Sequence, residues 1–313
     1  MPLANAQDTQ VSYVEEPEWG VTPANPVFQV LRMTGETLTG EYGTVTSSEI
    51  RPDRNVTDLT IVSGGAGGGI AVEMSQGTFD DLIGGVLFGQ WNSDALVNGE
   101  SAKRRSFTVE KRFDKGGGDY TYFRYTGMIP NTLALELGVD AILTGNFEFM
   151  GREATISDAL LPGQTYLPAT TTEVFNATSD FEGLSIAGDE TNYVQSLSIN
   201  VTNNLSAQRA VGHLYNIGAA TGTFTVTGSA AIYFRNEALY QKFINNQSST
   251  LNFTVGKESG KLYKFSFPNI KFSSANVNAT AQGADLLMEA EYQALYNAQV
   301  GGTMKIERNV VTS

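Results

Sequence analysis

The sequence predicts a mainly β protein in which one unit, made of strands and a single short helix, occurs twice. Gly and Thr are abundant among the 313 residues, which favours strands and tight turns over long helices. Two short segments space their apolar residues as a helix does, and a strand that contains Phe-Thr-Val follows each of them. A repeat of this length indicates one supersecondary unit used in two copies.

The two predicted helices share one apolar pattern. In order, Leu82, Ile83, Val86 and Leu87 of the first are matched by Leu239, Tyr240, Phe243 and Ile244 of the second. Thr78 is placed to cap the first helix and Asn236 to cap the second. We therefore expect one short helix beside the strands of each unit.

Alternating or aromatic-rich segments mark the strands of each unit. In the first unit they cover residues 27–39, 59–62, 70–74, 106–113, 119–128 and 140–150, and in the second 197–201, 223–226, 230–234, 251–255, 262–267 and 286–294. A glycine-rich run at 64–69 separates two of them. It lacks the G-x-G-x-x-G and Lys-Ser/Thr patterns of phosphate loops, so we expect a flexible turn.

These patterns divide the chain into four parts. Residues 1–26 form an extended arm, because prolines interrupt regular structure there, and Trp19 gives the arm one large group to dock. Residues 27–150 are the first domain and residues 193–313 the second. Residues 151–192, with weak periodicity, are a linker or inter-repeat segment that can hold short strands of its own.

The net charge of −13 argues against a protein that binds nucleic acid, since such binding needs clustered Lys and Arg. The basic clusters at 103–105 and 111–112 are short, and we interpret them as solvated strand ends. The chain has no cysteine, which excludes disulfides, thiolate nucleophiles and cysteine-bound zinc.

No pattern in the sequence indicates catalysis. His213 is the only histidine, and no G-x-S-x-G nucleophile motif accompanies it. The acidic pairs at 80–81 and 189–190 lack the frame of a calcium loop. We therefore predict no enzyme and no catalytic, metal-binding or cofactor-binding residue. The sequence leaves one kind of catalysis open: glycoside hydrolysis by two carboxylates, because such a pair is recognised by its distance in the folded chain.

The first 13 residues are polar and lack the basic-then-apolar order of a signal peptide. No apolar run approaches the ~18 residues of a membrane span. We expect a chain that is made and used in the cytoplasm without membrane contact, unless a larger particle carries it out.

The segment Ser-Glu-Ile-Arg-Pro-Asp-Arg at 48–54 precedes a short strand, the glycine-rich run and the first helix, which ends near Gly-Gln-Trp at 89–91. A tyrosine-rich stretch at 122–127 then leads into Met-Ile-Pro-Asn-Thr-Leu at 128–133. These features resemble the major tail tube proteins of siphophages, the long-tailed bacteriophages. The resemblance covers the first unit directly and the second through the repeat, where the loop has changed to Ser-Ala-Gln-Arg at 206–209.

The resemblance implies two tandem tail-tube-type β-sandwich domains, each with one short flanking α-helix. In this family, six such domains form a ring whose inner sheets close into one barrel. Stacked rings form the hollow tube that conducts the DNA genome during ejection. A chain with two domains then needs three copies per ring, a homotrimer with pseudo-hexameric symmetry. A homohexamer of chains with an added outer domain is the alternative.

The resemblance also implies where the protein acts and what it contacts. Its partners are other copies of itself and the tail terminator, tape measure and distal tail proteins. Genomic DNA passes through the lumen without specific binding. The protein belongs to the virion tail, with assembly in the host cytoplasm. Candidate intersubunit or inter-ring contacts are Trp19, Glu49, Arg51, Asp53 and Arg54.

The proposed barrel has room for DNA. With four inner strands per domain, a ring has roughly 24 strands and is roughly 48 Å across at the backbone. We expect an acidic lumen, which lets DNA slide rather than adhere.

A second function stays open from the sequence: a carbohydrate-binding or adhesin-like β-sandwich of a virion or cell surface. In that case the aromatic residues at 120–125 form an exposed sugar platform. A tube protein instead predicts that these aromatic residues are buried in a core or a subunit contact.

Overall fold

The computed structural model describes residues 5–99, 104–177, 179–186, 193–235, 237–256, 258–278 and 285–310. Strands dominate these ranges, and the predicted mainly β class is confirmed. The α-helices there are α1 (Asp80–Val86) and α2 (Ala238–Ile244), with a 3-10 helix at Ala6–Asp8. No helix in this part of the chain is long and apolar enough to cross a membrane.

The strands run through the whole chain. Those of the first half are β1 (Gln10–Glu15), β2 (Val27–Val30), β3 (Gly35–Glu36), β4 (Thr39–Thr46), β5 (Leu59–Glu73), β6 (Ala95–Val97), β7 (Phe107–Asp114), β8 (Tyr120–Gly138), β9 (Thr144–Gly151), β10 (Glu153–Ser157) and β11 (Thr165–Leu167). Those of the second half are β12 (Phe181–Ile186), β13 (Val194–Thr202), β14 (Ser206–Gln208), β15 (Gly218–Ala220), β16 (Thr225–Tyr233), β17 (Ser249–Val255), β18 (Leu262–Asn278), β19 (Leu287–Ala294) and β20 (Lys305–Val310).

A central sheet of eight strands runs through both halves of the molecule. Its order is β4, β5, β9, β8, β13, β16, β19 and β18, and every neighbouring pair is antiparallel. The pairing of β8 with β13 joins the two halves into one continuous ladder.

The two longest strands, β8 and β18, each take part in two layers. The first part of β8 pairs with β7 and β10, and its last part pairs with β9 and β13. The first part of β18 pairs with β17 and β20, and its last part pairs with β19. The register shifts between Pro130 and Thr132 on β8, and between Phe272 and Ser274 on β18. Bulges of this kind bend a strand, which lets each one pass from the central sheet into an outer layer.

The hydrophobic core fills the space between the layers. It includes Ile70 and Phe147 of the central sheet, Val109 and Tyr125 of the outer layer, and Phe265 in the second half. The core is therefore continuous across the junction of the two halves.

The helices lie where the sequence predicts them. Leu82, Ile83 and Val86 of α1 are buried, as their helical spacing indicates. In α2, Leu239 is buried and Phe243 is half-buried.

The predicted cap at Thr78 is wrong. The residue before α1 is Phe79, and no side chain caps the helix there. The Thr78 hydroxyl instead lies 2.6 Å from the hydroxyls of both Ser75 and Thr170, which hold it away from the helix end. The predicted cap at Asn236 lies outside the described residues.

The N-terminal segment is more regular than the predicted extended arm. Strand β1 pairs with β7 over its whole length and also contacts β2, and Val11 and Tyr13 are buried. Pro17 follows this strand and therefore does not interrupt it.

The glycine-rich run at 64–69 lies inside β5 and is not a flexible turn. Its backbone pairs with β4 and, from Ala66 onward, also with β9. A Cβ atom on Gly68 would lie 2.3 Å from the carbonyl oxygen of Thr37, and φ of Gly68 is +116°. Close approach of neighbouring groups, and not flexibility, explains this glycine.

The segment expected to link the two units is largely built into the sheets. Strand β10 pairs with β8, β11 pairs in parallel with β2, and β12 pairs with β17. Its described part thus contacts both halves of the chain.

Candidate functional site

A hairpin formed by the end of β4 and the beginning of β5 projects from the central sheet. Strand β9 ends opposite Ala66, so beyond this point β5 has lost that neighbour. Every residue from 43 to 62 is exposed. The backbone N–H of Ser47 donates to the carbonyl of Asp58 at 3.0 Å, which closes the loop at its base.

The loop at the hairpin end holds a small charged cluster. Arg51 donates two hydrogen bonds to the Asp53 carboxylate, at 3.1 and 2.9 Å, and Glu49 lies 4.0 Å from the same guanidinium. The hydrogen bond from Arg51, aided by the backbone N–H of Asn55, lowers the pKa of Asp53 to about 2. Arg54 is joined to this turn through its backbone and has a φ of +59°. The structure therefore brings together four of the five predicted contact residues.

The same hairpin exposes many apolar side chains. Ile50 at its end is 98% exposed. The others are Val45, Val56, Leu59, Ile61 and Val62, all more than half exposed. In the strand pairing, Leu59 and Ile61 share one face of the hairpin and Val45 lies on the other, so apolar side chains are exposed on both faces. Exposed apolar side chains concentrated on one element indicate an interaction surface in a folded protein.

The central sheet has two open edges. Among the described residues, β4 pairs with β5 alone, and the last part of β18 pairs with β19 alone. Unpaired edges of this length are templates for pairing with another chain.

One face of the central sheet packs on the core and the other faces solvent. The alternation is clear on β19, where Met288, Ala290 and Tyr292 are buried while Glu289 and Glu291 are exposed. Cross-strand partners of these glutamates share their face. The acidic residues on this face are Glu41, Glu73, Glu136, Glu148, Glu289 and Glu291. Among the described residues, Lys271 is the one basic side chain on this face. The six glutamates outnumber it, so the face is acidic.

The model of a family described as phage tail tube protein matches residues 6–303 of the chain. The chain belongs to the phage tail tube protein family. This confirms the resemblance seen in the sequence. A search of curated proteins finds no match. Membership makes the chain a structural tail protein of the virion that assembles with itself and other tail proteins into a tube.

The aromatic stretch of this tail tube protein offers no exposed platform. Tyr122 and Tyr125 are buried, and Tyr120 and Phe123 are half-buried. The guanidinium of Arg124 lies 4.9 Å from the centre of the Tyr122 ring. The tube hypothesis predicts that these rings are buried, whereas a sugar-binding platform would require them to be exposed.

Trp19 packs on β8 and on the residue that follows β9 in its own chain. Its indole N–H donates to the carbonyl of Gly127 at 2.9 Å, and the Arg152 guanidinium lies 5.9 Å from its ring centre. The side chain is half-buried. A contact between its exposed part and another subunit stays a prediction.

The acidic pair at 80–81 stabilises the fold of the tail tube protein. Asp80 accepts hydrogen bonds from Arg308 and Tyr263, and Asp81 accepts from Tyr13 and Arg105. The acidic pair at 189–190 and Lys103 lie outside the described residues. In the part of the chain that is described, no group of three or more His, Asp or Glu side chains is placed to hold a metal ion.

The base of the hairpin is braced by a loop from the second half. The backbone N–H of Gly64 donates to the carbonyl of Leu214 at 2.7 Å, and Asn216 donates to the carbonyl of Gly151 at 2.9 Å. A Cβ atom on Gly64 would lie 2.8 Å from the Tyr215 ring. The glycine lets this loop approach β5 closely.

Gly64→Ala is expected to destabilise the tail tube protein by roughly 1–3 kcal/mol, because the new methyl group overpacks against Tyr215. Urea unfolding of the variant measures the change. Gly138→Ala is the matched control, since a Cβ atom there meets no atom within 4 Å. Equal stabilities of the two variants would contradict the bracing contact.

Proposed function

We propose that three copies of this tail tube protein close into a ring, that rings stack into a hollow tube, and that the DNA genome passes through it during ejection. One observation carries the proposal: the central antiparallel sheet spans the whole chain and is open at β4 and at β18. Ring closure covers both edges and removes two sites of uncontrolled strand pairing.

The direction of the strands suits such a closure. Because eight strands alternate in direction, β18 and β4 run antiparallel to each other. The last strand of one copy can therefore continue the ladder into the first strand of the next. Three copies supply roughly 24 strands, which corresponds to a barrel roughly 48 Å across at the backbone.

A recurrent pairing order supports two tandem tube domains. Strand β5 lies between β4 and β9, as β16 lies between β13 and β19. Strands β7 and β17 pair with the first parts of β8 and β18. Strands β1 and β12 lie on the outer sides of β7 and β17. We infer that residues 27–150 and 193–313 are the bodies of the two domains, with β1 added to the first and β12 to the second.

The acidic solvent face of the central sheet suits a lumen that conducts DNA. Its glutamates repel phosphates, and its remaining side chains are mostly small or uncharged. The basic clusters that could bind DNA are engaged elsewhere: Arg105 pairs with Glu15, and Lys111 with Glu36. DNA is then expected to slide through the lumen without specific binding.

The projecting hairpin suits a contact between stacked rings. It combines exposed apolar side chains with the charged cluster of Glu49, Arg51, Asp53 and Arg54. The corresponding segment of the second half, β14 to β15, instead folds against β5. The two domains therefore make different contacts, and each ring presents three projecting hairpins.

Replacing Ile50 and Val56 together by Ser is expected to leave rings intact and to shorten the tubes. Each side chain is highly exposed in the single chain, and burying it between rings contributes roughly 1.5–3 kcal/mol. The loss weakens each ring-to-ring contact by at least about tenfold. Tube lengths in negative-stain images measure the effect.

Val211→Ser is the control for the hairpin variant, since Val211 is fully exposed on the loop of the second half. Tubes of this control should keep the wild-type length. Full-length tubes from the Ile50/Val56 variant would show that rings stack through another surface.

The proposed assembly also defines where the tubes form and which other tail proteins contact them. Tubes form in the host cytoplasm, and the tail terminator, tape measure and distal tail proteins contact the ends or the lumen of the tube. These partners and this place of assembly are part of the proposal, and membership of the tail tube family supports them.

Electron microscopy of the assembled protein tests the proposal. Class averages viewed down the tube axis should show rings of three chains with pseudo-sixfold symmetry. A ring of six chains would overturn the trimer and favour the alternative in which one domain lies outside the barrel. Single chains that remain monomeric at high concentration would overturn the tube itself.

A further inference from the structure

The junction between the two halves shows how one tube domain meets the next. Residues 132–138 of β8 pair with residues 196–202 of β13 in an unbroken antiparallel register. In this junction Ala134 lies opposite Asn200, and Thr132 lies opposite Thr202. If the proposed ring forms, the joint between two copies links the corresponding strands, so the internal junction serves as its template.

The open edge of β18 can be aligned with β8 through their bulges. On β8 the register shifts before Thr132, which then pairs with Glu148 of β9. On β18 the register shifts before Ser274, which then pairs with Glu291 of β19. Ser274 thus corresponds to Thr132, and Asn276, two residues later, corresponds to Ala134.

The open edge of β4 can be aligned with β13 in the same way. Glu148 of β9 pairs with Gly69, and Glu291 of β19 pairs with Ser229. The next positions on the same face are Gly67 and Thr227. Gly67 pairs with Thr39, whereas Thr227 pairs with Asn200. Thr39 therefore corresponds to Asn200, and Glu41 corresponds to Thr202.

We propose that in the ring the last part of β18 pairs antiparallel with β4 of the adjacent copy, with Asn276 opposite Thr39 and Ser274 opposite Glu41. This register rests on the proposed ring and adds to it a residue-by-residue joint. It makes the interchain joint the counterpart of the junction inside the chain.

The side chains at this joint are compatible with the register. Facing the lumen, Thr39 and Glu41 meet Asn276 and Ser274, so the single carboxylate faces a hydroxyl and no like charge. On the core side, Leu38 meets Val277, two apolar side chains. Because side chains alternate between faces, the closest alternative register that keeps these faces is shifted by two residues.

Engineered disulfides test the register, since the natural chain has no cysteine. The two edges of one copy are roughly 34 Å apart across seven strand spacings, so a bond between them must join two copies. In-register positions bring Cβ atoms to about 4.5–5.5 Å, whereas diagonal positions are about 7–8 Å apart at Cα. A disulfide needs a Cβ separation near about 3.8 Å, so small movements suffice only for in-register pairs.

Two in-register double variants, Thr39→Cys/Asn276→Cys and Glu41→Cys/Ser274→Cys, are compared with the shifted pair Thr39→Cys/Ser274→Cys. Assembled particles are oxidised and run on a denaturing gel without reductant. We expect covalent trimers from both in-register variants and mainly single chains from the shifted pair. Assembly of each variant under reducing conditions is verified by microscopy.

The outcomes separate the register from the ring. Covalent trimers mainly from the shifted pair would overturn the register while leaving the ring in place. Intact rings that cross-link in none of the three variants would place the joint on other strands. Wild-type protein that forms no ring would overturn the proposed function itself, whichever register the strands could adopt.

Discussion

Arg124→Met is expected to destabilise the tail tube protein by about 3–5 kcal/mol, because it leaves a buried carboxylate without its cation. The Glu110 side chain is fully buried, and the Arg124 side chain is 7% exposed. The Arg124 Nε donates to Glu110 Oε2 at 2.7 Å. A stability loss of this size is a large fraction of the roughly 5–15 kcal/mol that holds a domain folded.

The other groups around Glu110 cannot replace the positive charge of Arg124. Gln164 and Tyr166 already donate to the same carboxylate, at 2.8 and 2.5 Å. Burial, together with the hydrogen bond to Glu110, raises the pKa of the Tyr166 phenol, so it remains a protonated donor. Neither group brings a positive charge. Arg124 also donates to the carbonyl of Ala159, which is lost as well.

Two controls separate the buried charge from the lost packing. Glu110→Gln/Arg124→Met removes both charges, and we expect it to be more stable than Arg124→Met alone. Lys261→Met breaks the exposed pair with Glu258 and should leave the urea midpoint unchanged. Urea unfolding of dilute, unassembled chains gives the comparison. A midpoint for Arg124→Met that equals that of the double variant would show that the ion pair contributes little.

The fold class and the family can be predicted from the sequence, because both depend on local patterns formed by residues that are close together along the chain. The apolar spacing at Leu82, Ile83 and Val86 identifies α1 whatever surrounds it. The strand of residues 10–15 cannot be recognised in the sequence, because the nearby prolines indicate an irregular arm. Its partner in β7 lies about a hundred residues away and leaves no local signal.

The glycine-rich run shows a second limit. In the sequence, clustered glycines indicate flexibility, whereas in the structure they make room for Thr37 and Tyr215. Both neighbours come from other parts of the chain, so the reason for these glycines is tertiary.

The candidate surfaces could be predicted only in part. The loop with Arg51 and Asp53 is one local motif, so the sequence brings its charged residues together, and its role as a contact segment stays a prediction. The acidic face is spread over strands from both halves, and a one-residue error in any of them would move its side chains to the other face. Glu136 of β8 and Glu289 of β19, for example, share that face only because the register is kept through the two strands that lie between them, β13 and β16.

Reversing three of these glutamates, with Glu136→Lys, Glu289→Lys and Glu291→Lys in one chain, is expected to leave tubes intact and to slow genome ejection strongly. All three side chains are exposed and make no ion pair in the described structure, so the fold does not depend on their charge. In every ring the lumen then presents ammonium groups to DNA phosphates, which retains the DNA by counterion release.

The matched control is Asp8→Lys, Glu18→Lys and Asp119→Lys, which changes the net charge equally at exposed positions away from the solvent face of the central sheet. Phage particles carrying either variant are triggered to release DNA, and the release rate is measured between about 50 and about 200 mM salt. Retention through phosphate contacts predicts slow release for the lumen variant alone and faster release as salt rises.

Equal rates for the two variants at low salt would mean that the acidic face does not line the path of the DNA. Slow release that salt does not relieve would point to a narrowed bore, since a steric block has no counterions to release.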